Sequence, residues 1–376
     1  MSLKQVCVLG CGALGTVLAN LVANNVSKFP EYKPTVKLCI YVMWYVRSEE
    51  FSKQRLVDVI KNNKENPKYA PGISISDKVI VCDDASSVTA AADVILFAYA
   101  TRHVNEILEV MKQHMKKSVL FVSFSKGLVV PEPNSQAQQK DICLVSEEIQ
   151  RVTGIEPVVV SGAMTAKGLD KAELCEATIG SRSKEAADEV KRLLETEYLS
   201  LTWTTDVITV ELCGALKNIL SVAAGIVDGL NLGANTKSAI IRLGLYEIDQ
   251  YCHSMYAKYG KGLRTHLLIC LPFASILCQS DAMPQLGDDW DVFNLLIGRM
   301  MSEPQYAGMT LEQIQQSFNP DYVASGPDTA KKIHAQLNSL HLCEMYPLFT
   351  AVHLICSRIV PATMLIPMLR HHPAHR

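Results

Sequence analysis

Residues 6–26 read VCVLGCGALGTVLANLVANNV, and their order decides the fold. A short apolar run, 6–9, breaks into Gly10-Cys11-Gly12-Ala13-Leu14-Gly15 and resumes as an apolar-periodic helix over 17–26. Glycines at G-x-G-x-x-G spacing say little alone; between a strand and a helix they form a phosphate-binding turn. Gly10 permits the tight turn, Gly12 lets a pyrophosphate approach the backbone, and Gly15 lets helix pack on strand. The helix N-terminus then faces the phosphates.

Outward from this turn, short apolar runs recur at 36–42, 79–82, 94–99, 119–124 and 157–161. They are β-branched and lack strict alternation, as strands buried on both faces of a parallel sheet do. Helical patterns separate them, as in 103–114, where Val104, Ile107, Leu108 and Met111 recur at helical spacing. The alternation predicts a doubly wound α/β sheet. Further runs at 173–179 and 199–204 flank a charged helix, 184–194. Beyond Thr205 the patterns become long and helical, with Asp206 placed to cap the first helix. The expected domains are therefore 1–205, a Rossmann-type dinucleotide-binding unit, and 206–376, all helical.

Composition narrows the partners. The 376 residues are 20% charged with a formal net charge of -2, which argues against nucleic acid and membrane surfaces and for a small-molecule ligand. The 12 cysteines are scattered, often within strands (Cys7, Cys39, Cys82), without metal-ligand spacing. They read as reduced, buried thiols of a cytoplasmic protein that holds no metal. No basic segment leads into a long apolar run at the N-terminus, so no secretory signal is expected. The apolar stretch 267–278 is broken by Pro272 and falls short of the ~20 residues that span a bilayer. After the second strand, at Tyr41, the acidic residue usual for NAD ribose hydroxyls is missing; Arg47 follows, either a solvated loop residue or a contact for a 2'-phosphate.

Lys217 is unusual in its surroundings. Val210, Cys213, Gly214, Leu220, Ser221 and Ala224 share its helix face. A lysine there either snorkels to water or sits desolvated, where the charged ammonium is disfavoured and proton exchange near neutral pH becomes accessible. The surrounding stretch 211–245, ELCGALKNILSVAAGIVDGLNLGANTKSAIIRLGL, resembles the catalytic segment of NAD-dependent glycerol-3-phosphate dehydrogenases. SKG at 125–127, CEATIG at 175–180, SGPDTA at 325–330, YPLFTAV at 346–352 and the terminal HHPAHR extend the likeness over nearly the whole chain, 246–323 excepted.

That resemblance implies NAD as cofactor, dihydroxyacetone phosphate and glycerol 3-phosphate as substrates, and a cytoplasmic homodimer. Lys217 matches the family's proton-transferring lysine and Asn218 its substrate-binding neighbour. Lys126 matches the lysine that binds substrate beside the nicotinamide. Gly10, Cys11, Gly12, Ala13, Leu14, Gly15, Tyr41, His103, Lys126, Ala166 and Arg299 would line the cofactor.

The departures cluster near the chemistry. Leu14 replaces a family tryptophan; Ala100, Thr101, Arg102 and His103 replace Pro-His-Gln-Phe; Met164 replaces an asparagine. Val323 and Ser325 stand for a cofactor-site lysine and glutamine. Within 246–323 one alignment puts Ala274 or Ser275 at the catalytic aspartate. A second inserts residues first and recovers Asp291 for that aspartate and Gly298-Arg299 for the family's Gly-Arg, leaving Asn294 or Leu295 for threonine and Met300 for asparagine. Under it Asp291 tunes Lys217, and Arg299 holds the anionic substrate and cofactor. Losing such a group costs ~100-fold or more in rate. A second function therefore stands beside the enzyme: a weak or inactive relative that keeps the fold and cofactor site as a binding or regulatory dimer partner.

Overall fold

The computed structural model describes residues 3–39, 50–130, 142–256, 290–318 and 323–375. Tyr41, Arg47 and the stretch 267–278 lie outside them. The described residues form two compact units, one of residues 3–130 and Cys143–Val207, the other running from Ile208.

The first unit is built on one eight-stranded sheet. Labelled in chain order, its strands are β1 (Lys4–Leu9), β2 (Tyr32–Cys39), β3 (Val79–Cys82), β4 (Val94–Phe97), β5 (Leu120–Ser123), β6 (Val158–Ala163), β7 (Cys175–Gly180) and β8 (Leu199–Thr204). They lie in the order β3-β2-β1-β4-β5-β6-β7-β8. The first six neighbours are parallel and follow the dinucleotide-binding order; β6 and β7 pair antiparallel, so β7 and β8 run reversed.

The continuous apolar runs now have a reason. In β1, Val6 and Val8 enter one core while Cys7 and Leu9 enter another. Helices α1 (Ala13–Val26), α2 (Leu56–Asn63), α6 (Ala166–Asp170) and α7 (Lys184–Leu194) cover the first face. Helices α3 (Ala85–Ala91), α4 (Val104–Met111) and α5 (Val145–Thr153) cover the second. A strand covered on both sides needs apolar side chains in both directions.

The second unit centres on α8 (Val207–Gly229), whose residues from Thr209 to Val227 are all buried. Its 18-residue apolar window has mean hydropathy 1.6, enough by length and composition for a membrane span, yet all of it is buried in the fold. It is a core helix, apolar on every side because other helices surround it. Around it stand α9 (Ala234–Tyr256), α10 (Trp290–Ser302), α11 (Leu311–Phe318), α12 (Ser325–Ser339), α13 (Pro347–Cys356) and α14 (Leu365–Leu369).

Glycines let this packing come close. A Cβ on Gly225 would fall 1.9 Å from the Leu295 carbonyl oxygen, and one on Gly298 2.0 Å from that of Val222. Helices α8 and α10 thus meet backbone to backbone, and any side chain there would force them apart. At the other end of the unit, Glu247 of α9 accepts the Leu348 and Phe349 amides at the start of α13, at 2.6 and 2.9 Å. His372, fully buried, lies 3.0 Å from the same carboxylate, and its Nδ1 accepts the Ala374 amide. Because Nδ1 is an acceptor, the ring proton sits on Nε2 and faces Glu247. Burial pushes the Glu247 carboxyl up, and His372 and the two amides pull it back down. The YPLFTAV and HHPAHR segments are the two sides of this clamp.

Nine described cysteines form no disulfide, and burial pushes the Cys7 thiol up to about 12, leaving it inert. Cys213 is disulfide-bonded, which corrects the expectation of reduced thiols at that position. Among the described residues no group of three or more His, Cys, Asp or Glu is placed to hold a metal.

Candidate active site

In the first unit the described residues expected at the cofactor site follow β1 (Gly10–Gly15), β4 (His103), β5 (Lys126) and β6 (Ala166), and the strand order reverses between β1 and β4. Gly10 has φ +109°, and a Cβ on it would lie 2.5 Å from the Ala98 carbonyl oxygen beyond β4. A Cβ on Gly15 would fall 1.9 Å from the Gly10 carbonyl oxygen. Both glycines are therefore required by the protein itself. Gly12 differs: a Cβ there would meet nothing within 4 Å. Its glycine has no internal explanation, whereas a ligand approaching the backbone would need that space.

Gly12 also caps α1 without a side-chain hydrogen bond, and the first turn holds no acidic residue to repel an anion. Cys11 and Ala13 are buried and Leu14 is half-buried against the core, so a ligand approaching here would meet main chain rather than side chains. Asn66, which the sequence did not single out, is fully buried behind the turn.

Two neighbouring loops complete this edge. The Ser125 hydroxyl donates to the Tyr99 carbonyl at 2.8 Å, tying the turn after β5 to that after β4. Gly127, at φ +135°, lies against Thr101, since a Cβ there would come 3.0 Å from Cγ2. Lys126, partly exposed, rides between these anchors. His103 ends a short 3-10 turn, Thr101–His103, and its Nε2 accepts from Arg102 Nε at 2.9 Å. Met164 and Ala166 are 1% and 2% exposed and belong to the core, so in this arrangement Ala166 offers a ligand almost no surface.

In the second unit Lys217 is 3% exposed and Asn218 1%, both within α8. Lys217 is therefore buried rather than snorkelling to water. The Asn218 Oδ1 is buried without a hydrogen-bond partner among the described residues. The start of α12 closes on the Asn218 backbone, where a Cβ on Gly326 would lie 2.5 Å from its carbonyl oxygen. Asn294, at a position expected to replace a threonine, is fully buried and holds that turn: Oδ1 accepts the Gly326 amide at 2.7 Å and Nδ2 donates to Ser325 at 3.2 Å. Ser325 thus serves α12 and α10, while Val323 is largely exposed.

Arg299 donates from Nε to Glu303 at 2.9 Å, four residues on and just past the end of α10, with both partly exposed. Asp291 falls in the first turn of α10, but its side chain lies outside the described residues. Ala274 and Ser275 lie outside them too. The supporting residues Asn66, Ser125 and Asn294 carry no local signal, being short polar residues whose burial depends on partners distant in the chain.

The family model described as NAD-dependent glycerol-3-phosphate dehydrogenase N-terminus matches residues 5–187, and the corresponding C-terminus model matches 206–276. The cytoplasmic NAD(+) glycerol-3-phosphate dehydrogenase of Bos taurus is 30% identical over 383 residues, covering 100% of both chains. A probable glycerol-3-phosphate dehydrogenase 2 of Caenorhabditis elegans is 31% identical over 380 residues, covering 100% of this chain and 92% of that one. Among solved structures, the glycerol-3-phosphate dehydrogenase of Plasmodium falciparum superposes with a TM-score of 0.80 at 24% identity, covering 98% of this chain and 96% of that one, a likeness of fold. A backbone-lined phosphate turn on a sheet of this order, followed by helices around a buried Lys-Asn pair, agrees with these matches over the full length: the chain belongs to the NAD-dependent glycerol-3-phosphate dehydrogenase family.

Proposed function

We propose that this chain transfers hydride between NADH and dihydroxyacetone phosphate, giving glycerol 3-phosphate, with residues 1–205 binding the dinucleotide and 206–376 acting on the substrate. The observation that carries the reading is the buried pair in α8: an ammonium-bearing residue 3% exposed, next in the chain to an amide oxygen with no donor among the described residues. A buried acceptor left unsatisfied is costly, and a hydroxyl of the three-carbon substrate is a donor of the right kind. When bound, NADH supplies the hydride to the substrate carbonyl carbon. Lys217 Nζ gives a proton to the carbonyl oxygen as negative charge develops there and regains one from solvent; in the reverse direction it takes the hydroxyl proton. Asn218 orients the substrate hydroxyl.

The turn from Gly10 to Gly15 would hold the pyrophosphate by main-chain amides, with Gly12 at the open side. Lys126 and Arg299 supply positive charge for the substrate phosphate. Arg299 engages Glu303 through Nε. Close packing at Gly298 supports reading Gly298-Arg299 as the family's Gly-Arg pair, and Asp291 then falls seven residues earlier on the same helix as the carboxylate that tunes Lys217. A cytoplasmic homodimer completes the proposal, supported by the family likeness and by the prevalence of two-fold oligomers; light scattering showing a monomer at micromolar protein would remove the dimer.

The test is NADH oxidation followed by absorbance with dihydroxyacetone phosphate. Substrate-dependent oxidation is expected. NADH binding by calorimetry without turnover would instead identify a binding or regulatory relative.

A further inference from the structure

The phosphate turn has a buttress outside its own motif. Asn66 sits in a two-stranded hairpin, Glu65–Asn66 paired with Ala70–Ser74, which packs beside α1. Its side chain is fully buried. Nδ2 donates to the Cys11 carbonyl oxygen at 2.6 Å and to the Thr16 hydroxyl at 3.2 Å. Oδ1 accepts the Tyr69 amide at 3.2 Å, which fixes which end of the amide faces the turn. Thr16 is itself buried and reaches the same Cys11 carbonyl at 3.4 Å. One turn further along α1, Asn20 donates to the Ser74 carbonyl at 2.8 Å and accepts the Ser76 amide at 3.0 Å. The hairpin is thus stapled to α1 at its start and again in its middle.

The bond to Cys11 does more than hold a loop. The Cys11 carbonyl and the Gly12 N–H belong to one peptide plane, and in a trans peptide they point in opposite directions. Pinning the carbonyl toward Asn66 aims the Gly12 N–H away from the hairpin. Gly12 is also the residue of the turn with open space at its Cα. We propose that Asn66 is a positioning residue for the cofactor: by holding the Cys11–Gly12 peptide in one orientation, it presents the Gly12 amide to the dinucleotide pyrophosphate. The proposal rests on the turn being the NADH site. A donor fixed before binding needs no reorientation when the anion arrives, and that preorganisation appears as affinity.

The test substitutes Asn66→Leu, similar in size but without donors, and measures NADH binding by calorimetry and AMP binding by displacement of NADH. AMP lacks the bridging pyrophosphate, so it reports general damage to the domain. The expected result is an NADH-to-AMP affinity ratio lowered on the order of 10-fold, as loss of a hydrogen bond to a charged ligand brings. A purely structural role would weaken both ligands alike or lower only the melting temperature. An unchanged ratio in folded Asn66→Leu overturns the proposal. If that variant does not fold, Thr16→Val is read in the same way: it removes the second support of the Cys11 carbonyl, and the ratio should fall about 3-fold. An unchanged ratio there also overturns it. If the unmodified chain binds no NADH at millimolar concentration, the cofactor reading itself fails and Asn66 loses its role with it.

Discussion

The phosphate turn and the Lys217 helix are made differently. In the first, main chain would face the proposed ligand, with the side chains of Cys11 and Ala13 buried and that of Leu14 packed partly against the core. In the second, the proposed chemistry rests on the side chains of Lys217 and Asn218, both buried, and the adjoining turn is held by Asn294. A backbone site survives side-chain drift as long as its glycines and its strand-turn-helix setting remain. A side-chain site has no such protection. By the resemblance of the sequence, the turn keeps its three glycines although Leu14 stands for a tryptophan, and the other departures, such as Met164, Asn294, Val323 and Ser325, would fall among side-chain positions.

The comparison is broken or sharpened by variants that act on one region alone. The largest effect is expected from Lys217→Met, which keeps the volume and removes the proton donor. Turnover should fall by ~100- to 10,000-fold, the range of general acid–base catalysis, while NADH affinity stays put. A rate within a few-fold of the unmodified protein would show that another group moves the proton.

Next comes Gly298→Leu, which drives a side chain into the backbone of α8. Urea denaturation should show a loss of about 3 kcal/mol or more, the upper range for overpacking. Unchanged stability would mean that α8 and α10 can separate cheaply, and that Gly298 does not fix the register of Arg299.

Gly12→Val probes the backbone site. Because a Cβ there meets nothing within 4 Å, the melting temperature should barely move. NADH affinity, by calorimetry, should drop on the order of 10- to 100-fold, since the added methyls occupy the approach to the main chain. Equal affinity in both proteins would remove the turn from the cofactor site.

The smallest effect is a pH dependence. His353 of α13 stacks on His334 with ring centroids 4.3 Å apart, and burial, then the His334 and Lys331 charges, lower it from 6.5 to about 4. Its folded value is depressed, so the unfolded chain binds the proton first as pH falls. Stability is full above the unfolded value near 6.5 and is lost as pH drops toward 4. His353→Gln should flatten this part of the melting-temperature profile by about 2 °C. An identical slope in the variant would assign the loss to other groups, His334 first.

The sheet was legible from the sequence because each strand is a local event. Cys7 and Leu9 on one face and Val6 and Val8 on the other leave a continuous apolar run that any reading of the chain detects. The reversal of β7 and β8 was not legible, since strand direction is a property of pairing rather than of composition. The hairpin carrying Asn66 went unread for a similar reason: its strands are two and five residues long, and its anchor is a polar residue whose partners lie in α1 and the turn before it.

By itself, then, the sequence determined the phosphate turn, the alternation that builds the doubly wound sheet, the change to helices after Thr205, and the candidacy of Lys217. These depend on spacing along the chain, where neighbours are dictated by helix and strand periodicity. Tertiary structure alone decided that Lys217 is buried rather than snorkelling and that the Asn218 oxygen has no hydrogen-bond partner among the described residues. It also decided that Arg299 engages Glu303, and that Asn66 and Asn294 brace the two sites. Burial and hydrogen bonding are relations between residues far apart in the chain, and packing is the step that creates them.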